Sequence, residues 1–212
     1  MPNNKDSKKK FEHLRHIQQI SEDHCGPAVL EMLLENMGIE VTQEQITVAA
    51  GVEKTILGQG TRVDHLALAV NKLAPNAKFW VKQKATLKDL LYVLDNCNFP
   101  IGVEWQGLFE DNLEDEDLDE NDEKGAYGHY SVISNIDSEK DELIIVDPYK
   151  DFANQDRIVR ISLFLKRWWD FNEFCDPQTG DCTYKKDEQL FFVVTPKSEK
   201  FPDELGMTAL EL

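Results

Sequence analysis

Four residues scattered along the chain, Gln19, Cys25, His129 and Asp147, are of the types that amide-bond chemistry uses. Cys25 opens Cys25-Gly26-Pro27-Ala28-Val29-Leu30, which reads as the first turn of an apolar helix. A thiolate is favoured there, because unpaired N–H groups and the positive end of the helix dipole face it. Pro27 suits a first turn, where its missing N–H would have had no acceptor. Gln19, six residues earlier, carries a side-chain amide of the kind that holds an oxyanion in acyl transfer. A small buried cysteine at a helix start would leave the same local pattern, so the reading turns on partners elsewhere.

A nucleophilic cysteine needs a base, and the base needs an orienting group. The chain offers five histidines, His13, His16, His24, His65 and His129, and only His129 heads a strand pattern. Residues 128–136 are rich in β-formers, the polar stretch 137–141 reads as a turn, and 142–146 read as a second strand closed by Asp147-Pro148. A hairpin centred near Ser138 predicts Asp147 directly across from His129, and a two-residue shift would leave the pair diagonal on one face. Asp147 would then orient the imidazole. Asp147-Pro148 equally fits a simple turn that ends a strand. His13 and His16 fall in a polar lead-in, and His65 lies near the start of an amphipathic helix. His24 beside the thiol either tunes it or points away, and none of these four is assigned a catalytic role.

The elements that must position these residues divide into a helical first half and a mainly β second half. Helices are expected from Cys25 to Gly38 and from a Thr42/Gln45 capping box to Ala50, then from Val63 to Leu73 and after the Thr86 cap. Strands are expected at 78–83, 100–105, the hairpin, 157–161 and 191–195, with a short helix at 162–169. Trp168 and Trp169 either line a cleft between the halves or pack in the core.

Taken in order, Gln19 with Cys25-Gly26-Pro27-Ala28, then Gly128-His129-Tyr130, then Asp147-Pro148-Tyr149 resemble the papain-like cysteine peptidases. The likeness is to the bacteriocin-processing, double-glycine-leader peptidase branch, as a free-standing member without transporter domains, and it runs from about residue 15 to 195. The resemblance implies an α+β papain-like fold, with the helical N-terminal half packed on a mainly antiparallel C-terminal β-sheet. It implies Cys25 as nucleophile, His129 as general base and acid, Asp147 as the orienting residue and Gln19 as the oxyanion-hole donor. Gln18 stands one residue off the family spacing. Leader processing is not implied, because the best-known relatives are fused to transporters and this chain has neither an apolar membrane run nor a P-loop. A cysteine amidohydrolase or acyl transferase on the same fold, or a non-catalytic peptide-binding module, are the alternative readings.

At 212 residues and 41% apolar, the chain suits one compact domain, expected at 15–197 between polar tails 1–14 and 198–212. No stretch reaches the roughly 20 apolar residues of a membrane helix, and residues 1–10 lack the apolar core of a secretory signal. A cytoplasmic location without cofactor or metal is the resulting expectation. Cys175 and Cys182 bound a polar loop whose ends could meet in a disulfide, share a metal or remain separate thiols, and Cys97 reads as structural. Forty acids against 23 bases give a net charge of −17, which argues against nucleic acid. The partner that the resemblance implies is a peptide or protein substrate. Ten carboxylates crowd into 110–123, within an expected acidic loop 110–124. Such a run is either a solvated loop or an electrostatic lure for basic peptides beside His129; its match to a calcium loop is poor.

Overall fold

The computed structural model describes residues 11, 14–107, 128–175 and 178–211. The carboxylate run at 110–123 and His13 therefore lie outside the described residues.

Helix α1 (Cys25–Glu35) is buried along almost its whole surface, with only Glu31 and Glu35 partly open. That is what its near-continuous apolar sequence requires of a helix at the centre of a core. Helix α2 (Gln43–Ala50) starts at the expected capping box, where Gln45 N–H donates to Thr42 Oγ1 and Thr42 N–H to Gln45 Oε1, and Gly51 in the left-handed region ends it. A broken turn, α3 (Ile56–Gln59), leads to α4 (Val63–Leu73), whose Leu66, Ala67, Ala69 and Val70 are buried. After strand β1 (Ala77–Lys82) come α5 (Leu87–Tyr92) and a wide π turn through Cys97.

The second half supplies β2 (Ile101–Gln106), β3 (Gly128–Asp137), β4 (Glu142–Val146), β5 (Asp156–Arg160), α6 (Ile161–Arg167), β6 (Trp169–Cys175), β7 (Cys182–Glu188), β8 (Phe191–Pro196) and β9 (Thr208–Ala209). Seven strands form one antiparallel sheet in the order β5-β4-β3-β2-β8-β1-β9, and β6 pairs with β7 alone. The sheet draws β1 from the helical half into the β half. Every residue of β2 is buried, which a strand needs when both faces are covered. At Gly102 the Phe192 ring lies where a Cβ would stand, 2.4 Å away, so only glycine lets the ring cover β2 there.

Two expectations need correction, the hairpin register and the end of the short helix. The β3–β4 turn is centred between Glu139 and Lys140 rather than at Ser138, and a bulge between Ile133 and Asn135 then shifts the pairing by one, so Val132 pairs with Val146 and Asp147 follows opposite Ser131 rather than His129. The polar stretch between Cys175 and Cys182 closes the β6–β7 hairpin, its ends meet as one of the expected arrangements has it, and Cys182 is disulfide-bonded. Helix α6 ends at Arg167 because Trp169 is drawn into β6. Trp168 is fully buried against Phe164, so it serves the core and does not line a cleft. In the expected tails, Phe11, Leu14 and Leu205 are buried, and β9 pairs with β1.

Candidate active site

Cys25 is the first residue of α1 and is buried. Its N-cap, His24, makes no side-chain cap; its Nδ1 is 2.6 Å from Ser21 Oγ instead, and burial holds its pKa below the usual histidine value. The first-turn N–H groups of α1 are thus left open towards the thiol. The helix meets β3 at close range, with the Tyr130 ring 3.4 Å from where a Gly26 Cβ would stand. That contact sets the thiol beside His129, the neighbour of Tyr130.

His129 is buried, and its Nε2 lies 2.8 Å from Asp147 Oδ1. The same imidazole hydrogen-bonds the Cys25 side chain, so it bridges carboxylate and thiol. Burial disfavours the imidazolium most strongly. The charge and hydrogen bond of Asp147, helped by those of Cys25, outweigh it and push the His129 pKa up to about 10. Asp147 moves the other way. Burial raises it, but His129, the Tyr149 N–H and Arg157 together hold it below the usual carboxylate range. Arg157 donates to Asp147 Oδ2 at 3.0 Å, Tyr149 N–H to Oδ1 at 3.0 Å, and the Ser131 hydroxyl reaches Oδ2 at 3.5 Å. Arg157 is itself fixed over the Phe152 ring, 3.6 Å from its centre.

Gln19 reaches the site by another route. Its backbone N–H donates to Pro148 O at 2.9 Å, tying the lead-in segment to the loop that carries Asp147. Its Nε2 donates to Ser21 O and Glu22 O at 2.8 and 3.0 Å, and its Oε1 is buried with no hydrogen-bond partner among the described residues. Both amide hydrogens are therefore engaged with the loop before Cys25. Gln18 offers its backbone carbonyl to Gln43 instead.

The structure thus hydrogen-bonds His129 to Asp147, sets Cys25 near enough to act on the same imidazole, and ties Gln19 to the loop that carries Asp147. A thiol that can pass its proton to an imidazole braced by a carboxylate is equipped for attack on a carbonyl carbon. Two contributors went unread in the sequence. Arg157 left no signal, lying in an ordinary β-edge pattern. Glu104 did leave one, a charged residue at an inward position of an apolar strand. Its Oε1 accepts from the Tyr130 hydroxyl at 2.6 Å and from Asn172 Nδ2 at 3.1 Å. Among the described residues no group of histidine, cysteine, aspartate and glutamate is arranged to hold a metal ion. No described helix is long and apolar enough to cross a membrane.

Comparison with known proteins places this geometry in context. The model of the Peptidase C39 like family matches residues 11–174. The peptidase domain of Streptococcus ComA, a bi-functional ABC transporter involved in quorum sensing, superposes with a TM-score of 0.56 at 18% identity, covering 87% of this chain and all of that domain. A double-glycine-motif protease from an AMS/PCAT transporter, solved with the leader peptide, superposes with a TM-score of 0.49 at 17% identity, covering 85% of this chain and 90% of that one. No protein of curated function matches in sequence.

Proposed function

The chain is a cysteine peptidase of the Peptidase C39 like family, and on that premise we propose that Cys25, His129 and Asp147 carry the hydrolysis of a peptide bond. The observation behind the assignment is the buried His129–Asp147 pair at 2.8 Å, with Cys25 close enough to act on the same imidazole. With Nε2 committed to Asp147, the other ring nitrogen, Nδ1, is the one left to exchange a proton with the thiol.

In the proposed cycle, Cys25 Sγ gives its proton to His129 Nδ1 and attacks the carbonyl carbon, and the carbonyl oxygen takes the negative charge. The Cys25 backbone N–H, free at the helix start, faces that oxygen. Gln19 joins by releasing one of its two carbonyl partners and turning that N–H to the oxyanion. The imidazolium passes its proton to the departing amine as the C–N bond breaks. Water then attacks the thioester, giving a proton to His129, and the acid leaves as the thiol is restored. The raised His129 pKa keeps the imidazolium available for the leaving amine.

The substrate is a peptide or protein segment. Labelling with a peptide carrying a thiol-directed electrophile, followed by mass mapping, tests the assignment. Fast modification of Cys25 that is lost in His129→Ala is expected. Slow labelling of Cys25 and Cys97 at equal rates would defeat it.

A further inference from the structure

Asp147 owes its place to a residue that the proposed cycle does not use. Its side chain is fully buried and takes donors on both oxygens. Oδ1 has His129 Nε2 at 2.8 Å and the Tyr149 N–H at 3.0 Å, and Oδ2 has Arg157 Nη1 at 3.0 Å and the Ser131 hydroxyl at 3.5 Å. The Arg157 side chain is only 11% exposed, so its bond to Asp147 is largely out of water, where a charge-assisted hydrogen bond fixes geometry firmly. Without Arg157, the Oδ2 side of the carboxylate would rest on the long Ser131 contact.

Arg157 is held in turn by the loop that Asp147 begins. Its guanidinium lies over the buried Phe152 ring, 3.6 Å from the centre. Phe152 belongs to a tight turn, in which the Phe152 and Ala153 N–H groups donate to Tyr149 O at 2.9 and 2.8 Å, and its ring packs on that of Tyr149. One guanidinium thus grips residues 147–153 at two points, the carboxylate at the start and the ring near the end. The same loop is tied to the segment before Cys25, where Gln19 N–H donates to Pro148 O at 2.9 Å and Lys150 pairs with Glu22 at 3.1 Å. A shift of the loop would therefore be felt by Asp147 and by the Gln19 segment alike.

Other ionisable groups surround these contacts. Cys25 of α1 acts on the imidazole, and Asp170 of β6 interacts with its charge. Arg167 of α6 feels the charge of Arg157, and Asp156, beside Arg157 on β5, is paired with His16 at 2.9 Å. Of these groups only Arg157 donates to Asp147. We propose that Arg157 is a positioning residue for the catalytic base: by gripping Asp147 and Phe152 together it holds Asp147 Oδ1 against His129 Nε2 and so presents Nδ1 to the thiol. The inference rests on the assignment of Cys25, His129 and Asp147 as catalytic. Positioning and bare charge leave opposite marks, because a cation by itself disfavours a nearby imidazolium whereas an aspartate held in place favours it.

The test is the pH–rate profile of Arg157→Met on a cleaved peptide beside that of the intact enzyme, with rates taken per folded molecule from near-ultraviolet circular dichroism. kcat should fall by about 10²-fold with KM little changed, as when a catalytic group is set about 1 Å off. The alkaline limb should move to lower pH, because a displaced Asp147 no longer raises His129 against burial. Arg157→Lys, which returns a donor to Oδ2, should recover part of kcat and bring the limb back towards its native position. A limb that moves to higher pH marks a role through charge alone and overturns the proposal, and so does a native profile with only a loss of stability. If Arg157→Met fails to fold, Phe152→Leu serves instead: it keeps the guanidinium but removes the ring beneath it, and should move the limb the same way by less. An unmoved limb there overturns the proposal too. Cys25→Ala in the same assay separates the two readings. Turnover retained in it condemns the catalytic assignment, whereas turnover lost in it beside native-like Arg157 variants condemns this inference alone.

Discussion

Two buried aspartates that act on His129, Asp147 and Asp170, are in opposite states. Asp147 has an imidazole, an arginine and a backbone N–H around it, and its carboxyl is held below the usual range. Asp170 has an amide and a backbone N–H, other buried acids nearby and, among the described residues, no ion pair; burial outweighs the pull of the His129 charge and pushes its carboxyl up to about 7. Burial acts on both in the same direction. The difference lies in the partners: a buried carboxylate is charged where cations surround it and tends to keep its proton where they do not. The Asp147 side is thus a completed electrostatic pair, and the Asp170 side has no ion pair among the described residues.

The sharpest way to break the comparison is to disable its centre. Cys25→Ala should abolish peptide hydrolysis, and His129→Ala should lower kcat/KM by on the order of 10³-fold or more, measured on any cleaved peptide. Residual turnover near the native level in either variant would remove the completed side from the chemistry altogether.

Asp147→Asn should come next, with a loss of about 10³-fold in kcat. It should also move the alkaline limb of the pH–rate profile to lower pH, because the Asp147 charge is what raises His129 against burial. An unchanged alkaline limb would mean that Asp147 merely packs. Arg157→Met strips the outer cation from the same pair. Leaving Asp147 Oδ2 without it should cost about 3 kcal/mol of stability, read from urea denaturation.

The smallest effect belongs to the other side and has the opposite sign. Glu104 has its folded pKa raised from 4.5 to about 8, so the folded state holds its proton more tightly than the unfolded chain does. Stability from this group is full below about pH 4.5 and declines as pH rises towards 8. Glu104→Gln removes that decline, so its denaturation midpoint should gain on the native protein between pH 5 and 8. A gain that is the same at every pH would show that Glu104 is not the titrating group.

Much of the first side was legible in the sequence. Cys25 at a helix mouth follows from Pro27 and an apolar run, and His129 at a strand head follows from β-formers and a polar turn. The hairpin brought Asp147 within reach under either of two registers, and the structure adopts the diagonal one because its turn is centred between Glu139 and Lys140 and the bulge at Ser134 returns Asp147 to the face of His129. Arg157 was hidden because β5 is an edge strand whose alternation says nothing about which acid its long side chains will meet. The second side was almost wholly hidden. Asp170 and Asn172 lie in a stretch with too many polar residues to announce a strand, and of their hairpin only the loop bounded by Cys175 and Cys182 was legible.

The chain's own chemistry determined the thiol at a helix start, the strand-borne imidazole and the antiparallel frame, since each follows from local propensity and the period of apolar residues. Tertiary structure alone decided the electrostatics around His129. Whether a buried acid is charged depends on groups brought from distant strands, and no local pattern encodes that a β6 carboxylate will lie over a β3 glycine.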